Sequence, residues 1–209
     1  QTAIKQQGIS RLVSTPTLLR EILRLGPILK LMPFLKYIHS SGEPLEASLA
    51  KTIIGQCNGV VTLINLYGST EVSADVTYQV IDEELLQSSS SSYLPVGSPI
   101  DNCEIITIGN CNDRTWRYCE EGEIVVMGSH VSCGYMNTHI HDNSNNFGWL
   151  KEEEPGIYKV TTTEALNARR FCRTRDMGKW VNGKLFVLGR NDQMVKINGI
   201  RVSLLEVEA

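Results

Sequence analysis

From Val60 to Leu66 the chain is almost unbroken β-branched and apolar sequence, and it runs straight into Tyr67-Gly68-Ser69-Thr70-Glu71. A strand apolar on both faces has to be covered on both faces, which is the situation of a parallel strand inside an α/β sheet. The upstream sequence supplies the covering helices. Thr15 stands before Pro16, a good cap before a good first helical residue. Leu18, Leu19, Ile22, Leu23 and Leu25 follow at helical spacing, and Gly26 can end the turn. Tyr37-Ile38-His39 is a short extended run. Leu45, Leu49, Ile53 and Ile54 mark a second amphipathic helix, expected to stop near Gly55. Strand, helix and strand in this order predict a parallel sheet with crossover helices.

The serine run Ser88–Ser92 breaks this pattern and reads as a flexible linker or an exposed loop. Beyond it, short strands are expected at Cys103–Ile108, Glu123–Met127 and Lys184–Leu188, with Asn182-Gly183 as a hairpin turn. This half predicts a small antiparallel barrel or sheet. The polar stretch Asn137–Ala168 is expected to be a long surface excursion. The fold class is therefore α/β: a parallel β/α subdomain over 1–90, a barrel-like subdomain over 91–190, and a further segment over 191–209.

Composition removes several function classes. A net charge of −3 with 21% charged residues is ordinary for a soluble chain of 209 residues. No basic stripe alternates with aromatics, so nucleic acid is not an expected partner. No apolar run approaches the roughly 20 residues of a membrane span. The six cysteines include no Cys-x-x-Cys pair and read as reduced thiols, which makes the cytoplasm the expected location. His139-x-His141-Asp142 has metal-ligand residue types but lies in Asn-rich polar sequence, where a solvated loop is the simpler reading.

The chemistry concentrates at the end of the Val60–Leu66 strand. Ligands of open α/β sheets bind beyond the carboxyl ends of the strands. Gly68 allows a sharp turn and close approach to a ligand. Ser69 and Thr70 offer hydroxyls, and Glu71 offers a hard carboxylate suited to Mg²⁺. The plain alternative is a polar turn at a strand end.

Four further stretches accompany this one in order. Ser41-Gly42-Glu43-Pro44 lies upstream. Downstream come Gly122-Glu123-Ile124 with Gly128 and Gly134-Tyr135, then Arg173-Thr174-Arg175-Asp176, then Gly189-Arg190-Asn191-Asp192 with Val195-Lys196-Ile197-x-Gly199-x-Arg201. Together they resemble the signature motifs of the adenylate-forming superfamily: acyl-CoA synthetases, peptide-synthetase adenylation domains and luciferases. The resemblance covers essentially the whole chain. A narrower similarity is to the aminoadipate-semialdehyde-dehydrogenase-like, β-alanine-activating group, plant type.

The resemblance implies an ATP-dependent ligase that converts a carboxylic or amino acid to its acyl-AMP and passes it to CoA or to the phosphopantetheine thiol of a carrier protein. It implies that Thr70 contacts the α-phosphate and Glu71 holds Mg²⁺. It implies that Tyr67, with Gly68 and Ser69 beside it, and the peptide Ser41, Gly42, Glu43 and Pro44 flank the adenine. Asp176 would accept from the ribose hydroxyls, Arg190 would lie near ribose and phosphates, and Asp192 would be a hinge. His39, Leu66, Ala74 and Asp75 would approach the acid, with Asp75 able to pair with an ammonium group.

The sequence departs from that pattern at several points, among them Cys172 in place of the aromatic residue usual before the Arg173–Asp176 motif and a longer stretch between Tyr135 and Arg173. Arg175 stands where the family has Gly, at a cost on the order of 1 kcal/mol if the position needs positive φ. The family's phosphate loop and C-terminal Lys fall outside the 209 residues, so this segment alone is expected to be inactive. The rival expectation is a non-catalytic adenylation-like module used for binding or scaffolding.

Overall fold

The computed structural model describes residues 8–89, 91–109, 114–136, 146–161 and 163–191, with the backbone of 194–197 and 200–203. The chain divides into two compact units: residues 1–67, 78–97 and 195–209, and residues 68–77 and 98–194.

The first unit runs β1 (Arg11–Ser14), α1 (Pro16–Arg24), α2 (Ile28–Leu31), β2 (Tyr37–Ser40), α3 (Ala47–Cys57), the start of β3 (Thr62–Ser69), the end of β4 (Ala74–Ile81) and α4 (Glu83–Ser88); residues 68–77 of β3, β4 and the turn between them belong to the second. Strands β1, β2 and β3 are parallel, with Arg11 opposite Tyr37 and Tyr37 opposite Thr62. Thr15 caps α1 by accepting from the Leu18 N–H at 3.3 Å, and Pro16 opens the helix, as the sequence predicts. Asp82 caps α4 by accepting from the Leu85 N–H at 2.8 Å. The core between helices and sheet includes Leu19, Ile38, Leu45, Ile53 and Leu63, each 1% exposed or less. Burying each of these side chains contributes about 1.5–3 kcal/mol.

Two local expectations need correction. Helix α3 continues two residues past Gly55, because the left-handed pair Asn58 (φ 46°) and Gly59 (φ 75°) is what ends it. Strand β3 extends to Ser69 and is not buried on both faces throughout. Leu63 and Asn65 point inward while Thr62 and Ile64 are only half-buried.

In the second unit β5 (Ser98–Pro99) leads into β6 (Cys103–Ile108), β7 (Thr115–Arg117), β8 (Glu121–Gly128), β9 (Phe147–Glu154), β10 (Ile157–Thr161), β11 (Arg169–Val181) and β12 (Lys184–Arg190). The strand order is β6-β8-β11-β9-β10-β7, with β12 also on β11. An antiparallel bridge from Ile108 to Tyr118 and the Cys119 N–H to Thr107 carbonyl bond at 3.0 Å return the β7 end to β6, so the sheet closes on itself. Inside lie Ile106, Val125, Met127, Leu150 and Phe171, with Trp116 edge-on to Phe171 at 4.8 Å. Asn182 (φ 50°) and Gly183 (φ 73°) form the expected tight hairpin between β11 and β12. The expected surface excursion is overturned in part: β9 and β10 form a hairpin inside 137–168, turned at Gly156 (φ 74°). Two short strands, β13 (Met194–Ile197) and β14 (Ile200–Ser203), pair with each other. His139, His141, Asp142 and Asp192 lie outside the described residues.

Candidate functional site

In the first unit the site residues stand at adjacent strand ends. Ser40, the last residue of β2, is opposite Asn65, so the segment beginning at Ser41 leaves β2 level with Leu66 of β3, which runs on to Ser69. Asn65 is buried and donates its Nδ2 to the Pro95 carbonyl at 2.9 Å, fixing the return of the chain beside the strand end. Ser41 donates its N–H to the Ser14 carbonyl at 3.1 Å, and Gly42 takes φ 86°. The Glu43 carboxylate accepts from the backbone N–H and the hydroxyl of Thr17, at 3.0 and 2.7 Å. It thus sits at the first turn of α1, where unsatisfied N–H groups and the helix dipole favour an anion. Pro44 is exposed; His39, Leu66 and Tyr67 are half-buried.

In the second unit Thr70–Val72 form a 3₁₀ turn after β3, with Thr70 exposed and Glu71 half-buried. The Glu71 carboxylate accepts from the Tyr135 hydroxyl at 2.7 Å, and the Glu71 carbonyl accepts from the Ser132 N–H at 2.9 Å. The Ser73 hydroxyl donates to the His130 carbonyl at 2.8 Å. The turn is therefore gripped at three points by the segment after β8. The His130 ring is held below the usual histidine range by burial.

The sharp turn falls elsewhere than the sequence suggests. The positive-φ residues are Ser73 (60°) and Ala74 (90°), not Gly68. Gly68 serves a different need: a β-carbon there would collide with the backbone carbonyl of Ala74. Ala74 at φ 90° stores strain on the order of 1–2 kcal/mol. Asp75 follows it, half-buried.

The third cluster is built by a bulge. In the pairing of β11 with β8, Arg173 is opposite Val125 but Met177 is opposite Glu123, so β11 carries extra residues between them. Arg175 occupies the bulge with φ 64°, the left-handed conformation for which a glycine is the natural residue. Its Nε donates to Asn146 Oδ1 at 2.9 Å, and its carbonyl accepts from the Asn191 N–H at 2.8 Å. Asp176 pairs across to β12, where Arg190 Nη1 donates to its Oδ1 at 3.0 Å with both side chains under 20% exposed.

Sequence reasoning did not find the ion pair that joins two of the motifs. Glu123, 5% exposed, accepts from both Nε (3.1 Å) and Nη2 of Arg173, whose guanidinium lies 5.5 Å from the Trp116 ring centre. Thr174 donates its hydroxyl to the Ile124 carbonyl at 2.9 Å and accepts from the Asp176 N–H at 3.1 Å. Neighbouring Cys172 is pushed up to about 12, by burial first and the carboxylates of Glu71, Glu123 and Asp176 next. Among the described residues no three His, Cys, Asp or Glu side chains gather where a metal would sit.

The profile of the AMP-binding enzyme family matches residues 1–136. The chain belongs to the AMP-binding enzyme family. Among curated members, the chain is 35% identical to the beta-alanyl-bioamine nonribosomal peptide synthetase ebony of Drosophila melanogaster, over 98% of this chain and 22% of that protein. It is 31% identical to the D-alanine–D-alanyl carrier protein ligase of Bacillus licheniformis, over 99% of this chain and 37% of that one. The chain therefore spans between about a fifth and two fifths of these AMP-binding relatives. The solved structure of holo-PA1221, an NRPS protein containing adenylation and PCP domains, matches the fold with a TM-score of 0.78 at 22% identity, over 98% of this chain and 32% of that one.

Proposed function

We propose that the full-length protein is an ATP-dependent, adenylate-forming ligase that activates an amino acid and hands it to a carrier thiol or to CoA. The observation that carries this reading is the Thr70–Glu71 turn at the end of β3, with its carboxylate fixed by hydrogen bonding, in a chain of the AMP-binding enzyme family. The donor set suits Mg²⁺. Thr70 and Glu71 offer hard oxygens and no protein cage accompanies them among the described residues, which is how Mg²⁺ binds beside substrate phosphates.

ATP would supply the electrophilic phosphorus, and Mg²⁺ would neutralise charge on its phosphates. This chain's residues bind and orient. Thr70 donates to a phosphate oxygen and Glu71 holds the cation. Ser41–Pro44 and Tyr67, with Gly68 and Ser69, flank the adenine. Asp176 accepts from the ribose hydroxyls, and Arg190 both steadies that carboxylate and adds positive charge near the phosphates. Asp192 serves as the hinge, and the division at 1–90, 91–190 and 191–209 belongs to the same reading. A cytoplasmic location does too; among the described residues no helix is long and apolar enough to cross a membrane.

For the acid, the resemblance that turns His39, Leu66, Ala74 and the half-buried Asp75 toward the substrate favours one carrying an ammonium group, with which a carboxylate can pair. Two relatives, a beta-alanyl-bioamine synthetase and a D-alanine ligase, support a small amino acid. The β-alanyl name favours a β-alanine-activating placement over a fatty-acid ligase, and neither name bears on the aminoadipate-semialdehyde-dehydrogenase-like subgroup.

The test is substrate-dependent ATP–pyrophosphate exchange by the full-length protein across α-amino, β-amino, short and long acids. Exchange with a small amino acid, reduced at least about 100-fold in Glu71→Ala, is the expected result. Asp75→Ala is expected to lose amino acids selectively. A folded protein with neither exchange nor ATP binding would instead be a non-catalytic binding module.

A further inference from the structure

We infer that Tyr135 is a positioning residue for Glu71, holding its carboxylate in one orientation toward a divalent cation. The inference rests on the reading of Glu71 as the cation ligand and adds a residue to it. Glu71 has three rotatable side-chain bonds, and an exposed carboxylate on such a stem samples many orientations. Two attachments remove that freedom. The Tyr135 hydroxyl donates to Oε1 at 2.7 Å, and the Glu71 carbonyl accepts from Ser132 at 2.9 Å. One four-residue segment, Ser132–Tyr135, therefore grips both ends of the residue.

That segment is itself fixed. The Ser132 carbonyl accepts from Arg170 Nε at 2.8 Å, and the Ser132 hydroxyl accepts from the Gly134 N–H at 3.2 Å. The Tyr135 ring packs edge-on against Phe147 at 5.3 Å, and Phe147 is 6% exposed. The packing needs only the ring, so phenylalanine would satisfy it. Tyr135 is 43% exposed, so its hydroxyl has water as an alternative and is not forced onto the carboxylate by burial. A hydroxyl donating to an ionised carboxylate makes a short, strong bond, and one oxygen so held fixes the plane of the other. Hydrogen-bond partners of metal ligands act in this way on affinity.

The experiment uses the full-length protein with Mn²⁺ as the cation and a non-hydrolysable ATP analogue, counting free Mn²⁺ by electron paramagnetic resonance. Tyr135→Phe is expected to weaken Mn²⁺ binding to the protein–analogue complex about tenfold, with analogue binding in the absence of metal unchanged. Glu71→Ala is the reference and is expected to weaken it further. If Tyr135→Phe matches wild type while Glu71→Ala loses Mn²⁺, the positioning role is wrong and the cation-site reading stands. If Tyr135→Phe lowers metal-free analogue binding by the same factor, the hydroxyl acts on structure and the proposal fails. If Glu71→Ala binds Mn²⁺ as wild type does, both readings fail.

Discussion

Where β2 ends beside Asn65 of β3, in the first unit, buried polar side chains are only partly hydrogen-bonded. Ser40 and Asn65 are 0% and 1% exposed, yet among the described residues Ser40 Oγ and Asn65 Oδ1 have no hydrogen-bonding partner, and neither does Glu43 Oε1. In the second unit three carboxylates are tied to named partners: Glu71 to Tyr135, Asp176 to Arg190, Glu123 to Arg173. The first arrangement relies on an apolar core to fix the backbone and lets the backbone place the ligand-facing loops. The second fixes charges directly, which is the preorganisation that electrostatic stabilisation needs. A deletion should therefore hurt the two units for different reasons.

The largest effect is expected at the Glu123–Arg173 pair. Glu123→Ala leaves a mostly buried guanidinium without its partner and should cost about 3–4 kcal/mol in urea unfolding, while replacing both residues by Met should recover most of that loss. In the first unit the comparable damage needs an apolar truncation: Leu63→Ala should cost about 3 kcal/mol. Ser40→Ala, which removes a buried hydroxyl that has no partner among the described residues, should change stability by less than about 0.5 kcal/mol. A Ser40 variant as damaging as the Glu123 one would break the contrast.

Glycines sharpen it next. Gly68→Ala should destabilise by about 2 kcal/mol through its clash with Ala74. Gly55→Ala, inside α3 with open space around it, should stabilise by about 0.5–1 kcal/mol. The smallest effect is a pH dependence. Burial lowers the His130 pKa in the fold, so the unfolded chain binds the proton more readily. That contribution to stability is complete above the unfolded histidine pKa and is lost as pH falls through the lowered folded value. Thermal unfolding followed below neutral pH should show a shallower decline for His130→Gln than for wild type.

Much of this was legible in the sequence because the signals were local. Thr15-Pro16 fixes a helix start, Asn182-Gly183 fixes a hairpin, and the strand–helix–strand order fixes a parallel sheet. Arg175 was legible as well: a residue placed where a glycine belongs does take positive φ. What escaped was non-local. Glu123 and Arg173 are fifty residues apart and meet only because β8 and β11 pair. Tyr135 reads as the end of a Gly-Tyr motif until the chain returns it to Glu71. The β9–β10 hairpin was missed because its charged residues, such as Lys151, Glu153 and Glu154, weaken the apolar alternation that marks a strand.

Gly68 has a consequence for how such sequences drift. Its lack of a side chain is demanded by the carbonyl of Ala74, six positions along the same chain, and not by any small molecule. A gene copy that no longer used a nucleotide would still be purged of substitutions there, because they would spoil the hairpin before they touched the chemistry. Such a copy would keep its glycine long after Glu71 had begun to vary. Substitution at position 68 is limited by the fold itself, whatever becomes of position 71.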